Sequence, residues 1–163
     1  MHRTGGTGLQ PCLLLLGLAV LTRTIYLLAF DPPLESYYLG LADSLIQTGV
    51  LGLDGRPSTA FEPVYPMFLA TAWLVFGEHV LLIQLLQILV TALGAPLLYR
   101  LTLRLSGSRA AALIAGALFA LHPMLVRQAS AASDLAVVTT LLIAFALAFV
   151  RIPTCTANCR CRG

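Results

Sequence analysis

Residues 11–30 carry a single charge, Arg23, and that run decides the solvent in which the rest of the chain must fold. A helix rises about 1.5 Å per residue, so a stretch of this length reaches across a hydrocarbon layer of about 30 Å. It runs past Arg23 through Ile25 and Tyr26 to Phe30 without a small-residue cleavage site, which favours a membrane span over a secretion signal. Cys12 precedes the apolar core and is not in a lipoprotein position. Three further apolar runs follow, over 80–98, 110–126 and 135–150. Across the 163 residues 58% are hydrophobic and only 10% charged, with a mean hydropathy of +0.88. So few charges cannot coat a water-soluble domain. The expected fold class is all-α: a polytopic membrane helix bundle of about four transmembrane helices, with an external loop carrying interfacial helices.

That loop spans 31–79. Asp31, Glu35, Asp43, Asp54 and Glu62 fall in its first part against the single Arg56. Pro32 and Pro33 mark the exit from the first span. Tyr37, Tyr38, Leu41, Ala42, Leu45 and Ile46 recur at helical spacing, which predicts an amphipathic helix at the membrane interface, stopped by Gly49. Residues 54–57 read as a turn. The apolar run 67–76 is too short to span alone and predicts a second interfacial helix. Tyr65 and Trp73 suit an aromatic interfacial belt. Gly94 and Pro96 are tolerable inside a membrane helix, and the small residues of 110–126 suit close packing.

All ten basic residues are Arg, a bias that points to a GC-rich bacterial genome, and the net charge is only +3. Their short juxtamembrane groups report topology rather than nucleic-acid binding. Arg3, Arg100, Arg104, Arg109 and Arg151 fall on one side of the spans; the acidic residues fall on the other. The positive-inside rule then predicts a multi-pass protein of the inner (cytoplasmic) membrane, with a cytoplasmic N-terminus and an external 31–79 loop. After Arg151 the pattern stops. The tail 151–163, with Cys155, Cys159 and Cys161, reads as a frameshift or truncation scar, or else as a short cytoplasmic tail. Its C-x3-C-x-C spacing lacks the second ligand pair of a zinc site.

A carboxylate-rich loop at a membrane face suits chemistry on a lipid-linked donor whose tail stays in the bilayer. A carboxylate there can act as general base toward an acceptor. Solvated external loops are also acidic without any catalytic reason. The stretch 35–49, ESYYLGLADSLIQTG, followed by Asp54-Gly55-Arg56-Pro57, Pro63-Val64-Tyr65-Pro66-Met67-Phe68-Leu69-Ala70 and Phe76-Gly77, resembles the first external loop of GT-C membrane glycosyltransferases. These are relatives of the protein mannosyltransferases and the lipid A aminoarabinose transferase. The resemblance continues through Arg23, Tyr26, Gln84, Gln87, Tyr99-Arg100-Leu101, Leu105 and His122-Pro123, and covers about 12–150.

The resemblance implies transfer of a sugar, with inversion, from a polyprenyl-phosphate donor to a protein, lipid or glycan at the outer face. It implies Glu35 as the loop carboxylate, with Asp31 and Asp43 in reserve. Leu34 stands where the family pairs a second acid. Asp134 resembles an acidic residue of the second external loop that places an acceptor or a divalent metal, the one candidate cofactor. It equally suits a helix N-terminus by charge alone. Arg56 and Arg127 are candidates for the carrier phosphate, since guanidinium matches phosphate oxygens; as single residues they also read as ordinary loop arginines. Arg23 reads as structural, and His79 and His122 as helix-end residues. Relatives are far longer, so residues 1–150 are expected to form the N-terminal transmembrane part of such an enzyme. The competing expectations are a non-catalytic transporter or scaffold subunit, and an inactive fragment. The partners expected are the lipid donor and the bilayer, with no nucleic acid.

Overall fold

The computed structural model describes residues 9–32, 36–53, 56–57, 62–77, 79–131 and 133–150. Eight helices make up nearly all of this. α1 (Leu9–Phe30) is followed by α2 (Ser36–Thr48), then the two-residue strands β1 (Gly52–Leu53) and β2 (Arg56–Pro57). α3 (Val64–Phe76), α4 (Val80–Ala92), α5 (Gly94–Ser106), α6 (Arg109–Leu121), α7 (Pro123–Ser130) and α8 (Asp134–Phe149) complete it. The antiparallel strands pair Gly52 with Pro57 and Leu53 with Arg56, a minimal hairpin around the expected turn.

Among the described residues two helices are long and apolar enough to cross a membrane: Leu9–Phe30, with 22 residues, and Val80–Ser106, with 27. Their lengths are about 33 and about 40 Å. The second joins α4 and α5 and extends beyond the expected run 80–98, with a turn residue, Leu93, at the junction. A third crossing results if α6 and α7 count as one span, since they are bent by 48°. The cause is local: Pro123 has no N–H to return to α6, and His122 before it is extended (φ −62°, ψ 117°). The fourth run forms the shorter α8, of 16 residues.

The two short helices expected between the first and second long apolar runs form close to where periodicity places them. α2 ends at Gly49, which adopts φ +69° and returns its N–H to Leu45, a left-handed stop that glycine takes without cost. α2 packs on α3, with Tyr38 set edge-on to Tyr65 at 4.9 Å. α3 in turn buries Leu69, Ala70 and Ala72 with Ile83 of α4 and Val137 of α8. α5 and α6 form an antiparallel hairpin closed by Gly107 (φ +67°), and the Ser108 side chain caps α6 by accepting from the Ala111 N–H.

Close approach rather than bulk builds the main core. Cys12, Leu15 and Ala19 of α1 meet Ala92 and Ala95, Tyr99 of α5, and Ala112, Phe119 and Ala120 of α6. A Cβ on Gly116 would sit 2.6 Å from Leu15 Cδ1 and 3.3 Å from the Ala95 carbonyl oxygen. Small residues let helices approach where lipid offers no hydrophobic drive to association. The large apolar side chains left outside, among them Leu14, Leu28, Leu74, Leu118, Leu142 and Phe145, face outward as a lipid-solvated surface requires.

Candidate functional site

Charge is biased between the ends of the bundle, with Arg127 of α7 the described cation at the acidic end. α1 finishes at Phe30, just before Asp31, α3 begins after Glu62, and α8 begins at Asp134. Gln84 of α4 ties the end of α1 to the end of α7, donating to the Pro32 carbonyl (3.4 Å) and the Ser130 carbonyl (3.1 Å). Arg100, Arg104 and Arg109 lie in and beside the α5–α6 turn at the opposite end, where Arg100 adjoins the first turns of α1.

The best-defined polar structure at the acidic end is a buried glutamine network. Gln87 Oε1 accepts from the Tyr65 hydroxyl (2.8 Å), while Gln87 Nε2 donates to the carbonyls of Gln128 (3.1 Å) and Ser133 (3.2 Å). Thr91 donates to the Gln87 carbonyl at 2.8 Å, and Thr140 of α8 reaches the Thr91 carbonyl at 3.4 Å. One side chain therefore joins α3, α4, α7 and the α7–α8 connection. The carbonyls it satisfies belong to the end of a short helix and to the link beyond it, where backbone acceptors lack partners. Tyr65 is fully buried, which corrects the expectation of an interfacial belt residue. Trp73 is half-buried against the same cluster.

The proposed site residues are distributed around this network. Asp31 is exposed, with φ +38°, and closes α1 through its N–H to the Leu27 carbonyl. Asp43 is half-buried on α2 and accepts from Gln47 Nε2 at 2.8 Å. Asp134 opens α8, but the N-cap is Ser133, whose hydroxyl lies 3.3 Å from the Asp134 carboxylate. Arg127 is exposed in the last turn of α7. Glu35 lies outside the described residues, as does the side chain of Arg56. Among the described residues no hydrogen bond joins Asp31, Asp43 and Asp134, and no group of three or more His, Cys, Asp or Glu residues comes together as a metal set. Desolvation raises the pKa of the Tyr37 hydroxyl above its ordinary value, so at neutral pH it stays protonated. His79 and His122 are the N-cap residues of α4 and α7. The tail cysteines lie outside the described residues.

Arg23 is fully buried inside the bundle. Its Nη1 donates to the carbonyls of Ala19 (3.0 Å) and Ala120 (3.5 Å), and its guanidinium carbon lies 5.9 Å from the centre of the Phe119 ring. Ala120 sits in the last turn of α6, where the bend at His122 and Pro123 frees carbonyls. A cation is favoured at a helix C-terminus. Nε and Nη2 find no hydrogen-bond partner among the described residues. The sequence signal for the network was the pair Gln84 and Gln87, three residues apart in an otherwise apolar helix and therefore on one face. Nothing in the sequence identified their partners, because carbonyl acceptors belong to every residue.

No family model, curated protein or solved structure matches this chain.

Proposed function

We propose that residues 1–150 form the N-terminal, loop-bearing part of a GT-C-like glycosyltransferase. It moves a sugar from a polyprenyl-phosphate donor to a protein, lipid or glycan at the outer face of the cytoplasmic membrane. In this reading α1, α4–α5, the bent α6–α7 pair and α8 each cross once, and the N-terminus is cytoplasmic. α8 spans about 24 Å, a mismatch that local thinning of the bilayer accommodates at modest cost. The 31–79 segment is the external loop, and Glu35 is the base that takes the acceptor proton as the sugar leaves the carrier phosphate.

The observation that carries the reading is the segregation of charge. Asp31, Glu62 and Asp134 border the end joined by Gln84 and Gln87, with Arg127 the described cation beside them, and Arg100, Arg104 and Arg109 lie at the other. Such a polarity favours the arginine end on the cytoplasmic side. A rigid platform of interfacial helices beside exposed carboxylates lets a donor keep its prenyl tail in lipid while its head reaches water. A transporter would instead concentrate ionisable groups at the bilayer midplane around broken helices. Here Arg23 is the described charge beside the α6–α7 bend, and it is enclosed.

Membranes expressing the chain are tested with a benzophenone-bearing polyprenyl phosphate. Labelling that unlabelled polyprenyl phosphate competes away, and neutral polyprenol does not, supports the donor class; equal competition by both refutes it. In a full-length version, Glu35→Gln should leave labelling intact and lower transfer of tritiated sugar from polyprenyl phosphate by about a hundredfold or more, the lower range of general-base contributions. Unchanged transfer removes Glu35 from the mechanism.

A further inference from the structure

A groove of about 260 Å³ runs between α1 and α5 at the arginine end of the bundle. Cys12, Leu13 and Leu16 form one wall, and Leu93, Pro96 and Leu97 form the other. Each trio has the spacing of a single helix face, so the groove follows both helix axes rather than cutting across them. Arg100 stands at its rim. From Leu93 to Arg100 is seven residues, about 10 Å along the axis, which makes the groove an apolar slot with a cation at its outer edge. Arg104 follows one turn further out on the same face, also exposed. The described carboxylates all belong to elements at the other end, so Arg100 meets no counter-ion among the described residues.

This is the pattern of a phospholipid turned into protein surface: an apolar channel as long as the upper part of an acyl chain, then a planar donor at phosphate level. Lipid tails are as apolar as leucine, so the slot holds a chain by van der Waals packing rather than by a hydrophobic drive, and guanidinium pairs bidentately with phosphate oxygens. A zwitterionic headgroup carries its own ammonium beside the phosphate and competes with Arg100; an anionic one does not. We propose that the α1–α5 groove seats one acyl chain of an anionic phospholipid whose phosphate is held by Arg100. The site is separate from the acidic end and does not depend on which side of the membrane the arginines face.

The test is native mass spectrometry of the purified full chain in detergent, with dioleoyl phosphatidylglycerol and dioleoyl phosphatidylcholine as probes. One phosphatidylglycerol should be retained per chain, about tenfold more tightly than phosphatidylcholine. Arg100→Gln, at an exposed position, should bring the two lipids to equal retention. Leu97→Trp, which fills the slot, should lower retention of both. Arg109→Gln, outside the groove, should change neither. Equal retention of the two lipids by the unaltered chain overturns the proposal. So does an equal effect of Arg100→Gln and Arg109→Gln, which would mark diffuse surface charge. A dimer that loses its association in Leu97→Trp would assign the groove to a second copy of the chain and also overturn it.

Discussion

Replacing Gln87 by Leu tests whether the buried network, rather than apolar packing, holds the acidic end of the bundle together. The side chain is fully buried and makes three hydrogen bonds, from the Tyr65 hydroxyl and to the carbonyls of Gln128 and Ser133. Leucine keeps much of the volume, so the cavity term is small and the loss is mainly polar. Interhelical hydrogen bonds in membrane proteins average about 0.6 kcal/mol and reach about 1.7. Three of them put Gln87→Leu at about 2–5 kcal/mol of lost stability. Tyr65→Phe removes one bond and should cost about 0.6–1.7 kcal/mol by the same measure. A double-mutant cycle on Tyr65→Phe and Gln87→Leu, read by reversible unfolding in dodecyl maltoside titrated with dodecyl sulfate, should return a coupling near 1 kcal/mol. If Gln87→Leu unfolds within about 0.5 kcal/mol of the unaltered chain, the noise expected of an ordinary surface change, the network does not hold α3 to α7 and the reasoning fails.

Two further changes probe the packing. Gly116→Val should cost about 1–3 kcal/mol, because its Cβ would meet Leu15 at 2.6 Å and the Ala95 carbonyl oxygen at 3.3 Å. Gly17→Ala, with nothing within 4 Å of the new Cβ, should be neutral or stabilising by up to about 1 kcal/mol; a reversed order in the same unfolding assay would mean that α1 and α6 do not pack face to face there. Arg23→Met should hold stability or raise it by about 1–3 kcal/mol, since it removes a buried charge with two nitrogens that have no partner among the described residues. Ala120 keeps the Thr22 hydroxyl at 3.2 Å as its donor, and a loss above about 1 kcal/mol would show instead that the guanidinium holds the end of α6.

Much of the fold is legible in residue order, because a bilayer leaves the backbone few choices. A chain without water must satisfy its own N–H and C=O groups, so long apolar runs become helices. α1 therefore stands where residues 11–30 predict it. The stops are equally local: Gly49 and Gly107 end helices by taking positive φ, and Pro123 bends one by lacking an N–H. The boundaries that slipped did so for tertiary reasons. α5 continues to Ser106 beyond the apolar run because Tyr99 is buried against α1 and α6, while Arg100 and Arg104 stay exposed at the bundle's end. The first choice among the loop carboxylates, Glu35, lies outside the described residues, and its reserves Asp31 and Asp43 occupy different elements.

Sequence alone determined that this chain forms long apolar helices of the kind that cross membranes, and roughly where its helices lie. Each of these depends on periodicity and composition, which are properties of neighbours along the chain. Only the tertiary structure decided that Tyr65 turns inward to Gln87, that Gln87 and Gln84 satisfy the end of α7, that Arg23 is enclosed beside Phe119, and that α1 and α5 leave an apolar slot under Arg100. Those outcomes depend on which helix faces meet. Partners 22 to 97 residues apart, as in Tyr65 with Gln87 and Arg23 with Ala120, are chosen by packing in three dimensions and leave no local mark in the sequence.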